Sequence, residues 1–599
     1  MNENKQENLL DNLSSAINTK NEPDILKTIE ILCGKVEQVK IQEADTFEEL
    51  LNGNNENLQT AGAELIAELC KNDENRMVIA KREIVNRLLH FLNSSSPLLI
   101  FATIRALGNI CYENKEACQL IDKAGIDSIL RLLKNDSKTD LTIKICGLLI
   151  NLISSDSLPK TALNGGILST IETLLDKYKD SETPLNHLLN ITIFLTEYID
   201  DEEFIFTENL VKIIIEIFKK SEIPEICVMC LDILLPLSEK DEFKCILAKE
   251  GVCELLFHLI EKYKDKANDE EGRALLKQAC DLIVIILTGD ACMDLLYNDG
   301  KGKTYQNMLV WLDSKDSDLL TTGILAIGNF ARKDSYCIQM VKDGIAKKLI
   351  DLLKQFSQPS DPCKIQHALL CTLKNLVISK ENKPQALKDG IIEVMYPMLK
   401  FEDRYIVVFK VLSTFRIVID GQPNAALNLL SRKDFIERLV YCCYNSDHLG
   451  VRGEVPRSFS WLIKNTKSSE PFPMFVSVKD STKCIVEMIS SNHAVMQNEA
   501  FIALRILAVG LHNSNSLDPF YTSLCEAALG KNFNFVLNKY GEKWDQPIFE
   551  NCLSLLENLV DSNEIVKDLK DNEIVDSLEK LNSHNCLDRV QNLLAILRR

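Results

Sequence analysis

Residues 106–133 read ALGNICYENKEACQLIDKAGIDSILRLL, and residues 326–353 read AIGNFARKDSYCIQMVKDGIAKKLIDLL. Both lines carry an A-[LI]-G-N frame, a polar break, a Gly and a closing Leu-Leu, 220 residues apart. Self-similarity of this kind marks a repeat array, so the period decides the fold. Gly125, Gly166, Gly251, Gly344 and Gly390 open five equivalent segments at spacings of 41, 85, 93 and 46 residues. The two wide gaps each hold one more unit, marked by Asn209 in TENLVKIIIEIF and by Gly300 in NDGKGKTYQNMLVWL. The period is therefore 41 to 49 residues.

Each unit reads as three helices. In the first clear unit Glu113–Lys123 forms a short helix, which Gly125 breaks where the backbone needs positive φ. Ile126–Lys134 is the second helix, with Ile129, Leu130, Leu132 and Leu133 inward. After the polar turn NDSKTD, Leu141–Ile153 is the third, with Ile145, Leu148, Leu149 and Leu152 on its apolar face. No segment shows the sustained alternation of a strand. Helix triplets of this period are armadillo repeats, whereas HEAT repeats use two helices. One unit cannot bury its apolar face alone, but stacked units share a continuous core. The expectation is an all-α, right-handed superhelical armadillo solenoid of about 12–13 repeats. Residues 1–40 would form an N-terminal helical cap, 41–510 the armadillo repeats and 511–599 divergent armadillo or HEAT-like repeats.

Composition narrows the function. The 599 residues are 46% apolar, too hydrophobic for disorder, with a net charge of -19. That balance opposes nucleic acid, whose phosphates need a basic stripe, and favours partners rich in Lys and Arg. No apolar run of signal-peptide length opens the chain, and no uninterrupted apolar stretch reaches about 18 residues. The 20 Cys are scattered, many on apolar helix faces as Cys111, Cys146 and Cys280 are, and read as reduced core thiols. A cytoplasmic location follows as an expectation. The eight His are isolated, so neither metal nor cofactor is expected. NDGKGKT at 298–304 fails the phosphate-loop frame because Tyr297 stands where a Gly is required. With no nucleophile signature either, the chain reads as a binding protein rather than an enzyme.

Two surfaces are candidates for that binding. Asn109 and Asn329 lie near the ends of third helices, and stepping by the period gives Glu68, Asn109, Asn151, Ile193, Pro236, a repeat near 286 with no clear equivalent, then Asn329, Asn375 and Arg416. Third helices line the groove of such solenoids. Asn offers a donor and an acceptor there, either to a partner or to the neighbouring repeat. Only Trp461 heads a Trp-xxx-Asn motif, to Asn465, which argues against a nuclear-import adaptor. The second surface is acidic. EYIDDEEFIFTE at 197–208 carries Glu197, Asp200, Asp201, Glu202, Glu203 and Glu208, and Glu239, Asp241 and Glu242 follow one period later. Asp265, Asp269, Glu270 and Glu271 lie in the next long connection. Such runs are solvated loops or a landing strip for a partner's basic tail.

The segments RALGNICYENKEA (105–117), LLPLSEKDEFKCILAKEGVCELL (234–256), NDGKGKTYQNMLVWL (298–312), LAIGNFARKD (325–334) and VMQNEAFIALRILA (495–508), in this order, closely resemble the small-GTPase GDP-dissociation stimulator family, SmgGDS. The resemblance runs from about residue 40 to 510. It implies an all-helical armadillo protein that promotes GDP release from Rho-type GTPases. It also implies a cytosolic chaperone for GTPases with a polybasic tail and prenylation site, in prenylated or unprenylated form. The family's GTPase-contacting Asn carries over to Asn329, in the segment Asn329–Arg332; the family commonly has Asn next, where this chain has Lys333. The groove positions Asn109, Asn151, Asn375 and Arg416 join the candidate site through the repeat period alone. The family's acidic tail-binding patch is matched in character by Glu197–Glu208 and Glu239–Glu242. The alternative is an armadillo scaffold or adaptor without exchange activity.

Overall fold

The computed structural model describes residues 3–121, 123–135, 138–154, 158–199, 206–264, 270–401, 403–512, 514–581 and 586–599. Among the described residues every regular element is helical. The chain divides into two compact units, Met1–Cys292 and Met293–Arg599.

The first unit starts with helices Glu3–Thr19 and Glu22–Cys33. Its spine is a series of third helices: Glu56–Leu69, Pro97–Cys111, Thr139–Ile153, Glu182–Thr196, Pro224–Leu237 and Glu270–Ile286, each packed on the next. The second unit repeats the plan with Ser317–Phe330, Cys363–Leu376, Tyr405–Ile419, Leu449–Asn465, Ala494–Leu511 and Gln546–Leu559. Its final helix, Leu587–Arg598, packs on Gln546–Leu559. Each third helix is apolar on more than one side because it touches its own repeat and both neighbours. Leu148, Leu149 and Leu152 are all buried to within 1% exposure, worth roughly 1.5–3 kcal/mol per side chain.

Four of the five expected glycines start second helices. Gly166, Gly251, Gly344 and Gly390 have φ of 81°, 74°, 82° and 85° and directly precede Ile167–Tyr178, Val252–Tyr263, Ile345–Gln355 and Ile391–Met395. Gly125 departs from the expectation. It lies buried inside the Lys123–Asn135 helix, where a Cβ would come within 3.0 Å of Leu89 and 2.9 Å of Ile121. It is a packing glycine rather than a turn, and the first helix shortens to Lys115–Gln119, capped by Asn114. NDGKGKT is a repeat junction: Asn298, Asp299 and Gly300 all have positive φ just ahead of the Lys303–Trp311 helix.

Two features that look functional in one dimension are core. Cys227 and Cys230 have C-x-x-C spacing but are buried on the Pro224–Leu237 helix, and desolvation pushes both thiols up. Ala494–Leu511 has 18 residues and a mean hydropathy of 1.4, enough by length and composition to cross a membrane. It packs instead between the Leu449–Asn465 and Gln546–Leu559 helices.

Candidate functional site

The Asn ladder stitches repeats together. Asn109 Nδ2 donates to the Ala67 carbonyl at 2.6 Å, Asn151 Nδ2 to Gly108 at 3.0 Å and Asn375 Nδ2 to Gly328 at 3.1 Å. In each case the acceptor belongs to the preceding third helix, so the amide nitrogen sets the register between repeats. The amide oxygen is the half that can turn towards a partner. Trp461 and Asn465 work the same way internally: Asn465 Nδ2 donates to the Trp461 carbonyl at 2.9 Å, and its Oδ1 accepts from the Gly421 N–H at 2.7 Å.

Asn329, Arg332 and Lys333 sit where the Ser317–Phe330 helix ends and the Asp334–Lys342 helix begins. Arg332 is exposed, and its Nε donates to the Asn329 carbonyl at 2.9 Å. Lys333 Nζ reaches both oxygens of Asp294 at 2.5 Å, and Tyr336 Oη donates to Asp294 at 2.9 Å. Hydrogen bonds from Lys333 and then Tyr336 hold the Asp294 carboxyl below its ordinary range. Tyr336 stacks on Tyr297 with centroids 4.0 Å apart, and Tyr297 and Tyr305 both meet Phe330. The surface cation Lys333 is thus seated on an aromatic core through Asp294 and Tyr336.

Arg416 stands in an ion-pair ladder. Its Nε donates to Glu454 Oε1 at 2.5 Å, with the two side chains 13% and 7% exposed. Arg457 joins Glu454 at 3.4 Å to Glu499 at 2.8 Å, and Trp461 Nε1 donates to Glu499 at 2.9 Å. The Arg416 guanidinium lies 5.2 Å from the centroid of the Trp461 ring. Three successive third helices are tied together here. Sequence reasoning found Arg416 but missed Glu454, Arg457 and Glu499; their signal is opposite charge recurring at third-helix phase.

In the first unit a groove of about 490 Å³ opens on the third-helix face that bears Asn109 and Asn151. Lys71, Arg105, Lys144 and His187 line it, and none of the four was singled out in the sequence. Arg105 Nη2 and Lys71 Nζ each reach Glu68 at 2.6 Å, and those bonds, Lys71's foremost, keep the Glu68 carboxyl below its ordinary range.

The acidic candidates are only partly brought together. Glu197 and Glu239 are exposed just beyond the ends of adjacent third helices, and Lys240 Nζ donates to the Ile199 carbonyl, joining those ends. Glu208 pairs with Lys212 at 2.7 Å and Asp241 with Lys244 at 2.8 Å, while Glu242 is exposed. Asp200, Asp201, Glu202 and Glu203, like Asp265 and Asp269, lie outside the described residues.

Stacked helix triplets whose polar residues are spent between repeats or displayed along third-helix faces define a helical-repeat binding protein. A solved structure from work on a phosphorylation switch between cadherin and β-catenin has the same fold, with a TM-score of 0.52 at 14% identity over 93% of this chain and 99% of that one. The chain is 35% identical over 588 residues to the GTPase-GDP dissociation stimulator vimar of Drosophila melanogaster, spanning 90% of this chain and 92% of the relative. It is 32% identical over 530 residues to the Rap1 GTPase-GDP dissociation stimulator 1-B of Xenopus laevis, spanning 87% and 86%. It belongs to the SmgGDS family of GTPase-GDP dissociation stimulators. A family model for the H subunit of the V-ATPase matches residues 4–191, less than half of the chain.

Proposed function

We propose that this protein accelerates GDP release from Rho- and Rap-type small GTPases and accompanies them in the cytoplasm, without bond chemistry of its own. The observation that carries the reading is the 35% identity over nine-tenths of the chain to a protein named as a GTPase-GDP dissociation stimulator. An exchange factor of this kind needs no nucleophile or metal. It must bind the opened, nucleotide-free GTPase better than the GDP-bound one, and that difference in affinity sets how far the equilibrium moves. The half-buried Asn329 with the exposed Arg332 and Lys333 supplies a polar corner on an aromatic base for the folded GTPase, with Asn375 one repeat further on. Arg416 offers a partner less than Lys333 does, since it is 13% exposed and paired with Glu454. The exposed acids Glu197, Glu239 and Glu242 suit a basic tail, prenylated or not. Their partner would be steered from a distance and released by salt.

The test is release of fluorescent GDP from Rho, Rap and Ras GTPases, with and without their basic tails. Tail-dependent acceleration is expected for at least one of them. Binding without acceleration would leave a chaperone or scaffold, and no binding would overturn the proposal.

A further inference from the structure

Gly108 and Gly147 lie inside the Pro97–Cys111 and Thr139–Ile153 helices, where Gly costs roughly 0.5–1 kcal/mol relative to Ala. A glycine kept at such a cost usually has a neighbour that needs the space. Gly328, in the matching A-[LI]-G-N frame, has one: a Cβ there would fall 2.5 Å from Thr372 Oγ1. Gly108 has nothing nearer than Leu148 Cβ at 4.0 Å, and Gly147 has nothing within 4 Å. Among the described residues, none requires bare backbone at these two positions. Both face the groove that Lys71, Arg105, Lys144 and His187 surround.

The charges facing that groove are known one by one. Glu68 is engaged by both Arg105 and Lys71, which leaves the three cations and one carboxylate with net positive charge. Lys144 is exposed and has no ion-pair partner among the described residues. His187 Nδ1 donates to the Thr183 carbonyl at 2.9 Å, which leaves Nε2 as the ring nitrogen not used in that bond. Asn109 and Asn151 add amide oxygens that accept N–H groups, their nitrogens being committed to the preceding helix.

We infer that this groove binds an extended acidic peptide segment of a partner protein. Its backbone lies against the bare helix surface at Gly108 and Gly147, and its carboxylates meet Lys71, Arg105 and Lys144. Peptide N–H groups find the Asn109 and Asn151 oxygens. A peptide fits better than a nucleic acid because the chain carries a net charge of -19. A long polyanion feels that whole field, whereas a short segment feels mainly charges within a Debye length of about 8 Å.

The inference does not depend on exchange activity, and its test contains no GTPase. A fluorescein-labelled peptide of alternating Glu and Ser is titrated with the full chain by anisotropy, beside a peptide with Gln in place of Glu. The Glu peptide should bind, with affinity falling as salt rises, and the Gln peptide should not. Lys144→Glu should weaken binding about ten-fold, since it places like charges in contact. Gly147→Leu should weaken it similarly by covering the floor, while the melting temperature holds or rises. Gly147→Ala supplies a second fold-neutral variant should the larger side chain disturb the helix, with a smaller loss in the same direction. Equal binding of the Gln peptide, no binding of the Glu peptide, or unchanged affinity in both Lys144→Glu and the glycine variants would overturn the assignment.

Discussion

The side-chain amide of Asn151 donates to the backbone carbonyl of Gly108 at 3.0 Å, tying the end of one third helix to the matching turn of the helix before it. A hydrogen bond of this kind is worth about 1 kcal/mol net. Asn151→Ala should therefore lower the urea midpoint of the first unit by an amount equivalent to about 1 kcal/mol. Asn151→Asp should cost more, because it swaps the donor for a carboxylate facing a carbonyl oxygen. If Asp proves no worse than Ala, the Asn151–Gly108 bond is not what holds this register.

The two A-[LI]-G-N frames should respond to alanine with opposite signs. Gly328→Ala drives a methyl into Thr372, whose hydroxyl is fixed by donation to the Ile324 carbonyl at 2.8 Å. Overpacking of this kind costs about 1–3 kcal/mol. Gly108→Ala meets open space and should raise stability by about 0.5–1 kcal/mol through lower backbone entropy in the unfolded chain. Melting temperatures of the two variants decide the point, and a shared sign would refute the distinction.

That pair also shows how far the sequence reaches. Period, helix triplets and the glycines at positive φ were legible because each rests on residues close together in the chain. The role of a glycine inside a helix was not, because it depends on whether Thr372 or open solvent lies a repeat away. Gly125 read as a helix breaker for the same reason; its meaning sits in Leu89, on another helix. Arg416 was legible as a ladder position but not as half of a buried pair, since Glu454 is 38 residues further on. The basic groove was least visible, because Lys71, Arg105, Lys144 and His187 come from successive repeats and form no motif.

In the second unit's ion ladder, Glu454 has the most to lose. It takes charge from both Arg416 and Arg457 with its own side chain 7% exposed. Glu454→Gln takes its carboxylate partner from Arg416, while Arg457 keeps Glu499, and should cost about 3 kcal/mol, the scale of breaking a buried pair from one side. Arg416→Met with Glu454→Leu should recover much of that loss, because an apolar pair avoids desolvating charge. Chemical denaturation of Arg416→Met, Glu454→Leu and the double variant forms the cycle. Additive losses would mean that the two side chains are not coupled.

The acidic edge is testable where it is described. Glu197→Lys with Glu239→Lys should weaken binding of a GTPase carrying its basic tail and flatten the dependence on salt, while a tail-less GTPase is unaffected. Both positions are exposed beyond helix ends, so stability should change by less than about 0.5 kcal/mol. An equal effect on tailed and tail-less forms would remove this edge as a tail site.

Lys333 and Asp294 supply the pH dependence. The Asp294 carboxyl is held below its ordinary value in the folded chain, first by Lys333 and then by Tyr336. A lowered carboxylate contributes stability that is fully present above the unfolded value and is lost as pH falls through the folded one. The window therefore lies below about pH 4, and nothing should change between pH 6 and 8 from this group. Both side chains are nearly half exposed, at 45% and 46%, so solvent screening limits the pair to less than about 1 kcal/mol. Asp294→Asn should flatten the acid limb of the stability profile by that small amount. Its larger effect should be kinetic: Lys333 and Tyr336 lose their anchor beside Asn329, and stimulated GDP release should slow although neither residue is replaced. Asp294→Glu, which keeps the charge, should restore part of the rate. If Asp294→Asn leaves release unchanged while Asn329→Ala slows it, the exchange contact ends at Asn329 and does not extend to Lys333.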